Sequence, residues 1–144
     1  LDVKLVNQEW KVYLNTVKSP ETPQIWRMGW CPDYADANNF IRDVFASGGS
    51  SNPIDEAGAP LGGAMWKNQA FEDKVLEAAK ELDPVKRVEL YAEAEQILVW
   101  EDAVIIPIYW YSRNTCTAPY ITRTFGSGGQ ESIDKWDIDM AAKP

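Results

Sequence analysis

Eight consecutive residues, Arg27–Met28–Gly29–Trp30–Cys31–Pro32–Asp33–Tyr34, put a guanidinium, a glycine, a thiol and a carboxylate within one short stretch. A carboxylate fixed at the end of a strand can accept N–H groups from a cationic amine, each charge-assisted bond contributing about 1.5–3 kcal/mol. The α-amino group of a short peptide is such an amine at neutral pH. Arg27 could hold a distal carboxylate in a bidentate fork. Gly29 would let a second backbone approach closely, and a strand edge can pair with peptide groups common to every sequence. A purely structural account stands beside this one: Asp33 as a helix-entry residue, Arg27 as a surface charge and the tryptophans as core. Asp36 holds the better capping position, which leaves Asp33 without that job.

Other chemistry is poorly supplied. The chain has no His, so a Ser–His–Asp or Cys–His site is not available from these residues alone. Carboxylates cluster at Asp33 and Asp36, and again at Asp134, Asp137 and Asp139, but these local pairs give no sign of the two carboxylates facing across a substrate that glycoside hydrolysis needs. The second cluster lacks the spacing and the turn glycine of an EF-hand. Gly126–Ser127–Gly128–Gly129 is not followed by the Lys-Ser/Thr of a phosphate loop. No cofactor or metal is expected. Two cysteines, Cys31 and Cys116, are too few for a zinc site; they read as two free buried thiols, or as half or all of a disulfide in an oxidising compartment.

The elements that would position these residues follow from pattern. Leu1–Val6 alternates like a strand, and a chain that begins inside one reads as an excised piece of a longer protein. Asn7 caps a short helix to about Lys18, burying Trp10, Leu14 and Val17, and Ser19–Pro23 breaks it. Gln24–Trp30 reads as a strand with Arg27, Gly29 and Cys31 on one face and Trp26, Met28 and Trp30 on the other, ending at Pro32. Asp36 caps a helix over 37–46 with Phe40, Ile41, Val44 and Phe45 inward, and a Gly/Ser/Pro-rich loop spans 47–63. Asn68 caps a helix over 69–82 with Phe71, Val75, Leu76 and Ala79 inward. Asp83–Pro84 starts another, running to about Trp100 with Val85, Val88, Tyr91 and Leu98 buried. Ala103–Trp110 is apolar and β-branched, the pattern of a strand covered on both faces. Interleaved strands and helices predict an α/β fold.

Length and charge bound the partners. With 144 residues there is room for one ordinary core. A formal charge of −8, without a basic stripe, disfavours nucleic acid and anionic membrane surfaces. Seven Trp and six Tyr are many for this length; core packing is the default explanation for most of them, and part of the set could line a binding cleft.

The chain resembles the family 5 extracellular solute-binding proteins of bacterial ABC importers, the oligopeptide- and dipeptide-binding proteins. The resemblance is carried by Asn7–Gln8–Glu9–Trp10, by Arg27–Tyr34 with Asn39–Phe40, and by Leu90–Leu98 leading to Ile106–Pro107–Ile108–Tyr109. It implies a periplasmic-binding-protein-like (type II) lobe, a mixed sheet flanked by helices, forming the C-terminal portion of a two-lobed protein whose N-terminal lobe lies outside these residues. It further implies that Asp33 binds the amino terminus of a short peptide ligand, that Gly29, Trp30 and Cys31 bond its backbone, and that Arg27 meets its carboxyl end. In some relatives the cysteine matching Cys31 pairs with one upstream; Cys116 has no family role. The implied activity is capture of peptides outside the cytoplasm, at a periplasmic or lipid-anchored location, for delivery to an ABC importer permease, without catalysis. A nickel chelate, sugar or opine is the nearest alternative solute, and a hydrolase fragment is the rival from another class.

Overall fold

The computed structural model describes residues 2–112, 114–126, 129 and 131–143. Four α-helices dominate: α1 (Trp10–Thr16), α2 (Ala37–Phe45), α3 (Gln69–Lys80) and α4 (Pro84–Gln96). A π-helical turn, Ile97–Glu101, extends α4. Near the C-terminal end two short strands, β1 (Ile121–Thr122) and β2 (Asp137–Ile138), pair antiparallel, with a 3₁₀ turn at Ile133–Lys135 between them. Regular structure among the described residues is thus helices plus one small sheet, with long irregular segments between them, an arrangement compatible with α/β.

The helix starts form where the side chains dictate. Asp36 accepts the Asn38 N–H at 2.8 Å, Asn68 accepts those of Ala70 and Phe71, and Asp83 accepts those of Val85 and Lys86. Each satisfies donors that a first helical turn leaves unpaired. At α1 the cap is Glu9, not the expected Asn7: its carboxylate accepts from Lys11 and Val12. The longer acidic side chain reaches those donors from two residues further on, so the helix starts later than expected, and it ends at Thr16 rather than about Lys18.

The core lies between α2, α3, α4 and the π turn: Ile41, Phe71, Val75, Ala78, Leu90, Tyr91, Ala94 and Leu98 are all buried. Phe71, Val75 and Ala78 follow the i, i+4, i+7 stripe of a helix resting on one neighbour. Leu76 and Ala79, expected inward, face out, as do Val85 and Val88 on α4. The misassignment has a simple cause: several apolar stripes fit one helix, and only the position of its neighbour selects among them. At α1, Val17 is buried as expected, Leu14 is half-buried and Trp10 is exposed.

The 47–63 loop is held by close backbone approach. Gly63 has φ 69°, and a Cβ there would overlap the Ser51 carbonyl. Its N–H donates to Thr22 Oγ1 at 3.1 Å, which joins the loop to the turn after α1.

Three expected strands are absent as ladder members among the described residues. Segments 2–6, 24–30 and 103–110 carry no strand hydrogen bonds, so the expected mixed sheet is not formed here. Ala103–Trp110 was expected to be covered on both faces, yet Ile106, Ile108, Tyr109 and Trp110 are each at least 60% exposed. A ladder needs a partner edge, and the local pattern that favours extension cannot supply one. Leu1, Ser127 and Gly128, which belong to the expected first strand and glycine loop, lie outside the described residues.

Candidate functional site

The Arg27–Asp33 stretch retains the geometry of a strand without its ladder. Exposure alternates along it: Trp26, Met28 and Trp30 are half-buried, whereas Arg27, Gly29 and Cys31 are exposed, the two faces read from the sequence. The buried face follows from what lies beneath it. Trp26, Met28 and Trp30 border an apolar, partly open cavity of about 340 Å³, also lined by Phe40 of α2, Leu98 of the π turn and Trp110. Phe40 and Trp110 meet edge to face at 5.9 Å between ring centres. Glu95 is an acidic group on this otherwise apolar lining.

On the exposed face, Arg27 is fixed twice. Tyr13 of α1 clamps its backbone, the hydroxyl donating to the Arg27 carbonyl and accepting its N–H at 2.9 Å. The guanidinium donates through Nη2 to the hydroxyls of Tyr109, at 3.0 Å, and Tyr111. The Tyr109 hydrogen bond, followed by the nearby Tyr111, makes the guanidinium hold its proton more firmly than usual. Gly29 sits against the Tyr111 ring, where an added Cβ would make only ordinary contact at 3.5 Å. Segments 24–31 and 103–112 therefore run close together through their side chains.

The backbone groups of Met28, Gly29, Trp30 and Cys31 take part in no hydrogen bond among the described residues. They are exposed or half-buried, which leaves them open to water and available to another chain.

Asp33 is exposed, and its neighbourhood is organised by Asn39 on α2. Asn39 is 2% exposed. Its Oδ1 accepts the Trp30 indole N–H and the Asp33 backbone N–H, both at 2.9 Å. Its Nδ2 donates to Asp33 Oδ2 and Asp43 Oδ2, both at 3.3 Å. Asp33 Oδ1 accepts no hydrogen bond among the described residues. The capping carboxylate is also committed elsewhere: Asp36 receives Arg87 in a two-pronged contact at 2.9 and 3.1 Å, which holds its carboxyl below the ordinary 3.8.

Of the five residues singled out by sequence, the structure joins Arg27 and Gly29 through Tyr111, and Trp30 and Asp33 through Asn39. Cys31 is exposed on the outward face, and Cys116 is exposed as well; both are free thiols, which corrects the expectation of burial. Asn39 and the tyrosine pair were missed as site components. Asn39 was visible only as part of a motif, and the tyrosines lay in what read as a buried strand. Among the described residues, no group of three or more Cys, Asp or Glu side chains could hold a metal ion, and no helix is long and apolar enough to cross a membrane.

No protein-family model matches the chain, and no solved structure matches it significantly. Curated proteins do. The periplasmic oligopeptide-binding protein of Escherichia coli (strain K12) is 31% identical over 134 residues, covering 93% of this chain and 22% of that protein. A dipeptide-binding protein of Bacillus subtilis (strain 168) is 33% identical over 113 residues, covering 78% and 18%. A third, named "probable deoxycholate-binding periplasmic protein", from Escherichia coli (strain K12), is 28% identical over 119 residues, covering 83% and 20%. By these matches, which take in most of its residues, the chain belongs to the family of the bacterial oligopeptide- and dipeptide-binding proteins and spans about a fifth of the length of the relatives it matches.

Proposed function

We propose that the chain is part of the substrate-binding component of an ABC importer, working outside the cytoplasm, and that it forms one wall of a site for short peptides. In this reading residues 1–144 are a single unit, most of it the second, type II lobe of a two-lobed protein, and the other lobe supplies the opposite wall. The observation that carries it is the extended Met28–Cys31 segment, whose backbone groups have no partner among the described residues and which ends beside the Asp33 carboxylate. An extended peptide adding to that edge would gain main-chain hydrogen bonds at Gly29 and Cys31, on either side of Trp30, regardless of its side chains. Its ammonium would meet Asp33, whose Oδ1 is available. Arg27, braced by two tyrosine hydroxyls, would present its remaining donors to a carboxylate. Lobe closure around the ligand precedes delivery to the permease. The protein binds and does not catalyse.

Calorimetry of the full-length protein with a tripeptide and with its N-acetylated form tests the Asp33 contact. Loss of the ammonium is expected to weaken binding by about tenfold or more, the worth of one charge-assisted hydrogen bond. Equal affinity for the two peptides would overturn that role. A second reading, capture of a non-peptide solute by the same wall, is favoured by the relative whose name specifies deoxycholate and by the apolar cavity behind Trp30. Saturable binding of a bile salt with no response to any peptide would establish it instead.

A further inference from the structure

We infer that Asn39 is a positioning residue for ligand binding: its carboxamide, itself anchored on the Trp30 indole and Asp43, orients Asp33 toward the ligand. The inference rests on the peptide-binding reading above and deepens it.

The carboxamide of Asn39 is saturated. An asparagine side chain has one oxygen able to accept twice and one nitrogen able to donate twice. Here the oxygen accepts from the Trp30 indole and the Asp33 N–H, and the nitrogen donates to the Asp33 and Asp43 carboxylates. The partners dictate the orientation of the amide. An indole N–H and a backbone N–H can only donate, and two carboxylates can only accept, so a flipped amide would lose every bond. Asn39 is also almost fully buried, so water cannot substitute on its far side.

Three of these four bonds end on the candidate binding stretch, on either side of Pro32. Pro32 restricts the backbone at this corner, and the Asp36 N–H bonds the Tyr34 carbonyl at 3.1 Å, but neither fixes the Asp33 side chain. With Asn39 in place, one carboxylate oxygen of Asp33 is turned inward and held, and the other is left toward solvent. Asp43 anchors the same amide from the next turn of α2 and also receives the Tyr34 hydroxyl and Asn38 Nδ2. The support behind Asp33 therefore extends through α2, whereas a helix cap alone would have required none of it.

The test is the ratio of affinities, tripeptide over its N-acetylated form, measured by calorimetry on the full-length protein and on its Asn39→Ala variant. In the unaltered protein the ratio should be about ten or more, and in the variant it should fall to nearly one, with affinity for the acetylated peptide changed less than about twofold. A residue that merely stabilised the fold would weaken both peptides alike. A variant that keeps the full ratio therefore overturns the positioning role while leaving the peptide reading intact. A ratio near one in the unaltered protein overturns both. Asn39→Ser, which leaves a smaller void and a hydroxyl, is judged by the same criterion if the alanine variant does not fold.

Discussion

At the scale of single residues, the polar side chains around α2 divide the work between structure and recognition. Asp36 performs two structural tasks, capping α2 and receiving Arg87 of α4, and Tyr91 completes the seam by donating its hydroxyl to Asn38 Oδ1 at 2.7 Å. Because Arg87 holds the Asp36 carboxyl below 3.8, the folded chain binds that proton less readily than the unfolded chain does. The resulting stabilisation is complete above the ordinary carboxylate value and is lost as pH falls through the depressed one. Arg87→Met should lower stability at pH 7, and the deficit relative to the unaltered protein should shrink as pH is lowered below 3.8, read from urea midpoints at each pH. The two side chains are partly exposed, at 22% and 32%, so added salt should narrow the deficit too. Asp36 is the cap, as its position predicts, whereas Asp33 caps no helix and its side chain accepts only from Asn39 among the described residues.

At the scale of elements, α3 and α4 carry the core. Phe71 is fully buried, packs edge to face on Trp66 at 4.8 Å, and lies among Val75, Leu90 and Leu98 in one cluster. Phe71→Ala should lower unfolding free energy by about 3–5 kcal/mol, with an unchanged denaturant slope. A loss below about 1 kcal/mol would mean that the helices repack without it. The departure from α4 is decided by backbone geometry. Ala103 takes φ 48°, an uncommon state for a residue with a Cβ, and the Val104 N–H returns to the Leu98 carbonyl at 2.9 Å. That reversal sends 103–112 back beside the Arg27 stretch, where Tyr109 and Tyr111 reach the guanidinium.

At the scale of the whole molecule, the two extended segments 24–31 and 103–112 give the chain an unpaired edge and a row of exposed apolar residues. If a peptide adds to Met28–Cys31, amide exchange at Gly29 and Cys31 in the full-length protein should slow on peptide binding, while exchange at Arg27, already bonded to Tyr13, should change little. Hydrogen-exchange mass spectrometry checks this, and unaltered exchange across 28–31 would remove the strand-edge contact from the proposed mechanism.

What the sequence determined by itself was local: the caps at Asp36, Asn68 and Asp83, the break after α1, the glycine-rich loop and the two faces of the Trp26–Cys31 stretch. Each rests on interactions within a few residues, such as a side chain reaching its own backbone or a two-residue periodicity. The family, too, was legible, because the Arg27–Tyr34 block is distinctive. Tertiary structure alone decided which stripe of α3 and α4 is buried, that Tyr109 and Tyr111 brace Arg27 from some eighty residues away, and that Asn39 holds Trp30 and Asp33. It also decided that three extended segments form no ladder among the described residues. Propensity can extend a chain, but a hydrogen-bonded partner must come from elsewhere in space, and no local pattern encodes where.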